Sequence, residues 1–184
     1  MFQSLLERIA SVLLQEKIPY MVIGGQAVLV YGEPRLTKDI DITLGLGIEE
    51  FHRVKNAVDS LKLKSLVENN EEFVKQTMVF PVIDDESGIR IDFIFSFSLY
   101  EREAIDRARE IPLGNTSVRF ASLEDLIIHK VIAGRPRDLE DVRIILIKNP
   151  DYDEDYIRSW LHEFDNTLTE NYVEVFSKLV PEKR

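Results

Sequence analysis

The chain has no cysteine, and this excludes a disulfide framework, a thiolate metal site and a thiol nucleophile together. Its three histidines, His52, His129 and His162, are scattered without the spacing of a zinc site, which argues against a zinc enzyme. Glycine and proline are few, eight and seven of 184 residues, and no repeat or low-complexity linker divides the chain. Cations are in the minority: 23 Lys and Arg against 33 Asp and Glu give a net charge of −10. That balance argues against a broad grip on nucleic acid, which rests on many cations facing phosphates, and leaves room only for a local basic site. Long apolar runs are missing too. Residues 1–17 carry Glu7, Arg8, Gln15, Glu16 and Lys17 among their apolar positions, so neither a signal peptide nor a membrane span is expected there, and the expected location is the cytoplasm.

What is present, 45% hydrophobic residues over 184 positions, suits one compact unit or a small catalytic core with a helical extension. Leu5, Leu6, Ile9, Val12 and Leu13 recur at the three- and four-residue spacing of an amphipathic helix. After Pro19, the apolar run 20–23 ends at Gly24-Gly25, which reads as a buried strand and a tight turn before a short helix at 26–31. Lys38-Asp39-Ile40-Asp41-Ile42-Thr43 alternates, so the two aspartates share one face of a strand and the isoleucines the other. Residues 49–61 return to the helical period. Two strands follow, one within 73–83 and one at 89–95, joined as a hairpin by the turn 84–88, with Arg90 and Asp92 projecting from the face opposite Ile89, Ile91, Phe93 and Phe95. A helix at 99–109 and weak strand signals at 111–113 and 117–120 come next. Ser122-Leu123-Glu124-Asp125 resembles a capping box opening a helix to Ala133, and helices are predicted at 137–147, 153–164 and 167–179. The expected fold class is α/β or α+β: a small mixed sheet with flanking helices, a core over 1–121 and a helical C-terminal portion over 122–184 closing the site.

Chemistry concentrates in the acids. Carboxylates shared between two divalent ions suit phosphate chemistry, where charge on attacking and leaving oxygens has to be neutralised. Magnesium keeps waters and substrate phosphates in its shell, so two or three aspartates suffice. Asp39 and Asp41, at i and i+2 of one strand, converge from a rigid element, and Asp92, flanked by Ile91 and Phe93, brings a third carboxylate if its strand lies beside theirs. Upstream, the Gly24-Gly25 turn can present backbone N–H groups to a triphosphate.

The order of these elements, from an apolar strand through Gly24-Gly25, Arg35-Leu36-Thr37 and Asp39-Ile40-Asp41-Ile42 to Ile91-Asp92-Phe93, resembles the polymerase-β-like nucleotidyltransferase superfamily. Within it, the Gly-Gly-x-Ala start, Tyr31-Gly32, the Arg-x-Thr-x-Asp-x-Asp run and Leu-Glu-Asp-Leu-Ile-x-x-Lys look like the small proteins grouped with AbiEii-type toxins. The resemblance implies that Asp39, Asp41 and Asp92 are metal-binding and catalytic, that two Mg²⁺ serve as cofactor and an NTP as substrate, and that Gly24, Gly25, Arg35, Thr37 and Lys130 bind the nucleotide. Lys130 also counts as catalytic, and Arg135, Arg137, Asp138 and Asp141 join the site. Gly25 stands where many active members carry Ser. The acceptor implied is RNA or tRNA, with an antitoxin-like partner protein. The alternatives are a small-molecule, aminoglycoside-type adenylyltransferase and a non-catalytic nucleotide-binding module.

Blander readings stand beside these. Asp-x-Asp alone is a solvated strand face, Gly-Gly alone a turn, and Asp92 alone the polar side of an edge strand with Arg90 as its partner. His129 and Lys130 read as the exposed face of an amphipathic helix, and Arg137-Asp138-Leu139-Glu140-Asp141 as a charged first helical turn. Trp160 and the cluster Phe93, Phe95 and Phe97 read as core.

Overall fold

A computed structural model describes residues 2–34, 36–96 and 98–181. Arg35 and Phe97 therefore lie outside the described residues. Nine α-helices and one seven-stranded mixed sheet are formed among those described, and the chain divides into two compact units, 1–26 with 36–121 and 27–35 with 122–184.

The first unit holds the sheet. Its strands are β1 (Tyr20–Ile23), β2 (Asp39–Leu44), β3 (Lys64–Ser65), β4 (Val79–Asp84), β5 (Ile89–Phe95), β6 (Arg109–Leu113) and β7 (Thr116–Phe120), in the order β3-β4-β5-β2-β1-β7-β6. The β2–β5 and β1–β7 pairs are parallel and the others antiparallel. β2 and β5 are interior strands, and their alternation builds the core. Ile40 lies beside Ile91, Ile42 beside Phe93 and Leu44 beside Phe95, all six fully buried. Phe51, which opens α3 (Phe51–Ser60), sets its ring edge-on to Phe80 at 5.0 Å and tilted to Phe95 at 6.1 Å. The helix α1 (Phe2–Gln15) buries Leu5, Leu6, Ile9, Ala10 and Leu13, as its period predicts, and packs on β7.

Several elements differ from the sequence reading, β3 among them, which it did not assign. The strand expected within 73–83 is β4, and the residues before it form a helix that the sequence reading did not assign, α4 (Asn70–Thr77), which ends at Met78 in the left-handed region. The helix α2 (Gly24–Tyr31) starts at the glycines and not after them. The helix α5 (Leu99–Asp106) begins in a capping box that the sequence reading missed, Ser98 accepting from the Glu101 N–H while Glu101 accepts from the Ser98 N–H.

The second unit gathers the end of α2 with α6 (Leu123–Ala133), α7 (Pro136–Lys148), α8 (Glu154–Leu168) and α9 (Tyr172–Ser177). Leu126, Ile127, Ile128 and Val131 of α6, Val142, Ile145 and Leu146 of α7, Ile157 and Leu161 of α8 and Phe176 of α9 make its core. The α8–α9 boundary falls later than the sequence suggests, because the Asp165 carboxylate accepts the N–H groups of Tyr172 and Val173 across the break at Thr169. Trp160, expected in the core, is only half-buried: it stands beside the Ile157–Leu161 stripe, its ring 6.4 Å from that of Phe164. No helix among the described residues is long and apolar enough to cross a membrane.

Candidate active site

The three aspartates lie on two neighbouring strands of the sheet. Asp39 and Asp41 occupy the first and third positions of β2, on the face opposite Ile40 and Ile42. β5 lies beside β2 in parallel register, placing Asp92 next to Asp41 and Arg90 next to Asp39, so the two strands carry one row of four charged side chains. Adjacent strands run roughly 4.8 Å apart, close enough for these charges to act on each other. Asp92 does not sit on an edge strand, because β4 pairs with β5 on its other side. Arg90 Nε donates to Asp92 Oδ1 at 2.9 Å, with the arginine side chain 52% exposed and the aspartate 17%. The guanidinium is held above its ordinary pKa, first by that hydrogen bond and then, against burial, by the charges of Asp92, Asp39 and Asp41.

The glycine turn is built against this row. Gly24 has φ +62°, a conformation L side chains rarely adopt, and a Cβ added there would lie 2.1 Å from Asp41 Oδ2. The Asp41 carboxylate thus rests against the Gly24 backbone, across the β1–β2 pair that sets Ile23 beside Asp41. Gly25 is buried at the start of α2. Thr37, in the segment leading into β2, is buried, and its hydroxyl accepts from Gln26 Nε2 at 2.6 Å. Gln26 is a residue the sequence reading passed over. An amide set between a glycine pair and the apolar run Ala27-Val28-Leu29-Val30 was the available signal, since a polar group buried in such a run requires a partner.

The donor set suits a hard divalent cation: carboxylate oxygens only, with no thiolate in the chain. Among the described residues no three acidic or histidine side chains gather into a complete metal-holding group. Magnesium does not need one, because waters and substrate phosphates complete its shell. An open cleft of about 800 Å³ beside α1, lined by residues such as Glu7, Arg8, Ser60 and Lys62, includes none of the three aspartates.

Lys130 belongs to the second unit. It is not on an exposed helix face: it is 4% exposed, and its Nζ donates to Asp138 Oδ1 at 2.6 Å and to Asp141 Oδ2 at 2.8 Å. Asp138 and Asp141 are likewise buried rather than a solvated first turn, and Arg135 Nε donates to Asp138 as well. Arg137, at the second position of α7, is exposed.

The family described as "Nucleotidyltransferase of unknown function (DUF6036)" matches residues 2–175. No curated protein matches the sequence. Among solved structures, the antibiotic-resistance factor ANT(2'')-Ia is similar with 15% identity and a TM-score of 0.62, over 91% of this chain and 94% of its own. An antigenic nucleotidyltransferase-like protein from Paracoccidioides brasiliensis is 14% identical with a TM-score of 0.58, over 96% and 91%. The lincosamide antibiotic adenylyltransferase LnuA, solved with lincomycin bound, is 16% identical with a TM-score of 0.53, over 77% and 94%. At such identities the likeness is one of fold, and it is the match over nearly the whole chain that decides: the protein belongs to this family of nucleotidyltransferases.

Proposed function

We propose that the protein transfers a nucleoside monophosphate from an NTP to an acceptor hydroxyl, with Asp39 and Asp41 holding Mg²⁺ and Asp92 acting as a third ligand or as the base for the acceptor proton. The observation that carries this reading is the in-register placement of Asp41 and Asp92 on neighbouring parallel strands, with Gly24 against Asp41. The cation, when bound, neutralises charge on the phosphates. The acceptor oxygen forms a bond to the α-phosphorus, the bond to the bridging oxygen breaks, and pyrophosphate leaves with that electron pair. Backbone N–H groups of the Gly24-Gly25 turn face the phosphates, since no side chain shields them, and Thr37 sits on the same connection. Arg35 and Lys130 are the cations assigned to the triphosphate by resemblance.

The acceptor we favour is a cationic small molecule, as for an aminoglycoside-type adenylyltransferase, because a chain of net charge −10 with an acidic row attracts cations and repels polyphosphate backbones. A second reading rests on the Gly-Gly-x-Ala and Leu-Glu-Asp-Leu-Ile-x-x-Lys segments, which resemble AbiEii-type toxins. It takes RNA or tRNA as acceptor, in the cytoplasm, under an antitoxin-like partner. Calorimetric titration with each of the four NTPs, with and without Mg²⁺, tests the shared core. Metal-dependent binding that disappears in Asp39→Asn/Asp41→Asn is expected, and undiminished binding in that variant sinks the assignment. Labelled-nucleotide transfer to aminoglycosides or to tRNA then separates the acceptors. A folded protein that binds NTP and transfers to neither is the non-catalytic module.

A further inference from the structure

Of the four charged residues in the β2–β5 row, three are acids and one, Arg90, is a cation in direct contact with an acid. Resting on the reading of this row as a cation site, we propose that Arg90 and a divalent cation compete for the carboxylate of Asp92, so that Arg90 is a positioning residue that sets the affinity of the row for metal. Three observations carry this. The hydrogen bond from Arg90 Nε to Asp92 Oδ1, 2.9 Å, is a charge-assisted one made within a single strand face, at i and i+2. Asp92 is 17% exposed and Arg90 52%, so the guanidinium is the more solvent-facing member of the pair and a cation arriving from water meets it first. On β4 the residues in register with this pair are Pro81, opposite Asp92, and Ile83, opposite Arg90, so at those positions β4 offers Arg90 no acid in exchange for Asp92.

A half-exposed pair of this kind is weak enough to be displaced, and an arginine beside the site also repels a dication through space. Both effects have the same sign. Removing Arg90 tightens cation binding, and removing Asp92 abolishes the part that runs through competition. The cost of the device is affinity, and its return is that Asp92 keeps a fixed orientation and a neutralised charge until metal and nucleotide arrive together.

The test is Mn²⁺ binding, followed by calorimetry or electron paramagnetic resonance, to the wild type, Arg90→Gln, Arg90→Lys, Asp92→Asn, Asp41→Asn and the Arg90→Gln/Asp92→Asn double variant, each checked for a cooperative melt. Arg90→Gln is expected to bind Mn²⁺ about five- to tenfold more tightly, the weight of a partly exposed charge pair together with the relieved repulsion. Arg90→Lys is expected to fall between it and the wild type, and the gain is expected to shrink below about twofold when Asp92 is already Asn. If Arg90→Gln matches the wild type while Asp41→Asn loses the ion, the role of Arg90 is wrong and the metal site stands. If the gain persists undiminished in the Asp92→Asn background, Arg90 acts only at long range and competition is wrong. If no variant binds Mn²⁺ either alone or with ATP, the reading of the row as a cation site fails, and the proposal fails with it.

Discussion

At position 24 a methyl group has no place to go. The Gly24 backbone is left-handed, at φ +62°, and a Cβ would press on the Asp41 carboxylate at 2.1 Å. Gly88, in the β4–β5 turn, has φ +69° with nothing within 4 Å of an added Cβ. Comparing alanine at the two sites therefore separates backbone cost from collision. Gly88→Ala is expected to lose about 1–2 kcal/mol, the cost of a left-handed L residue, and to leave transfer unchanged. Gly24→Ala is expected to cost more and to lose transfer at least 100-fold (about 2.7 kcal/mol), because Asp41 must move aside. Urea melts and turnover of both variants check this, and equal losses in the two would remove Gly24 from the site. The pairing of Gly24 with Asp41 is where legibility ended at this scale: sequence placed the glycine before the aspartate and assigned both, but their contact depends on β1 and β2 lying antiparallel with Ile23 beside Asp41, a register no local pattern encodes.

Among elements, the α6–α7 pair holds charge where apolar packing is the rule. Lys130, Asp138 and Asp141 are all buried and mutually bonded, and Arg135 closes over Asp138 from outside. Deleting the lysine removes the cation that two buried carboxylates share, and breaking a buried pair from one side costs about 3–5 kcal/mol. Lys130→Met is expected to lower stability by that amount, and Lys130→Met/Asp138→Leu/Asp141→Leu to recover most of it, both read from urea unfolding. The pH dependence follows from Asp138. Burial raises its carboxyl, the hydrogen bonds from Arg135 and Lys130 lower it, and the result lies below the ordinary value. A carboxyl depressed in the folded state contributes its stability fully above the unfolded value, about 3.9, and loses it as pH falls through the folded value. Acid unfolding followed by far-ultraviolet circular dichroism should therefore steepen below about pH 4, and Asp138→Asn should flatten that step while costing stability at pH 7. Sequence periodicity found α6 and α7 and most strands, because a buried stripe at spacing three and four, or an alternating face, is a local signal. It misassigned Lys130 and Asp138 to a solvated surface in the bland reading. Their partners lie 8 and 11 residues apart on two helices, and only the packing of α6 on α7 brings them together. α4 was missed for a related reason: Asn70–Thr77 buries a single apolar residue, Val74, too little to show a period.

Over the whole molecule, chain order and compact units do not coincide. The chain leaves the first unit after Gln26, returns at Leu36 and leaves again after Ala121, so a cut at 121 removes the partners of residues 27–35. In the second unit those partners are specific. Asn149 Nδ2 donates to the Tyr31 carbonyl at 2.9 Å, Lys148 Nζ donates to the Gly32 carbonyl at 3.1 Å and pairs with Glu33, satisfying carbonyls at the end of α2 that the helix itself leaves open. A cation at a helix C-terminus also meets the favourable end of its dipole, and Ala27 and Val28 are fully buried. A fragment of residues 1–121 keeps all seven strands but exposes this segment; re-solvating Val28 alone costs about 1.5–3 kcal/mol. It is expected to melt at lower temperature than the full chain and to be cut first by protease within residues 27–38, with the strands surviving longer. A fragment that melts like the full chain and resists cleavage there would show that residues 27–35 are held by the first unit, and that the helical C-terminal portion is dispensable for the sheet bearing Asp39, Asp41 and Asp92.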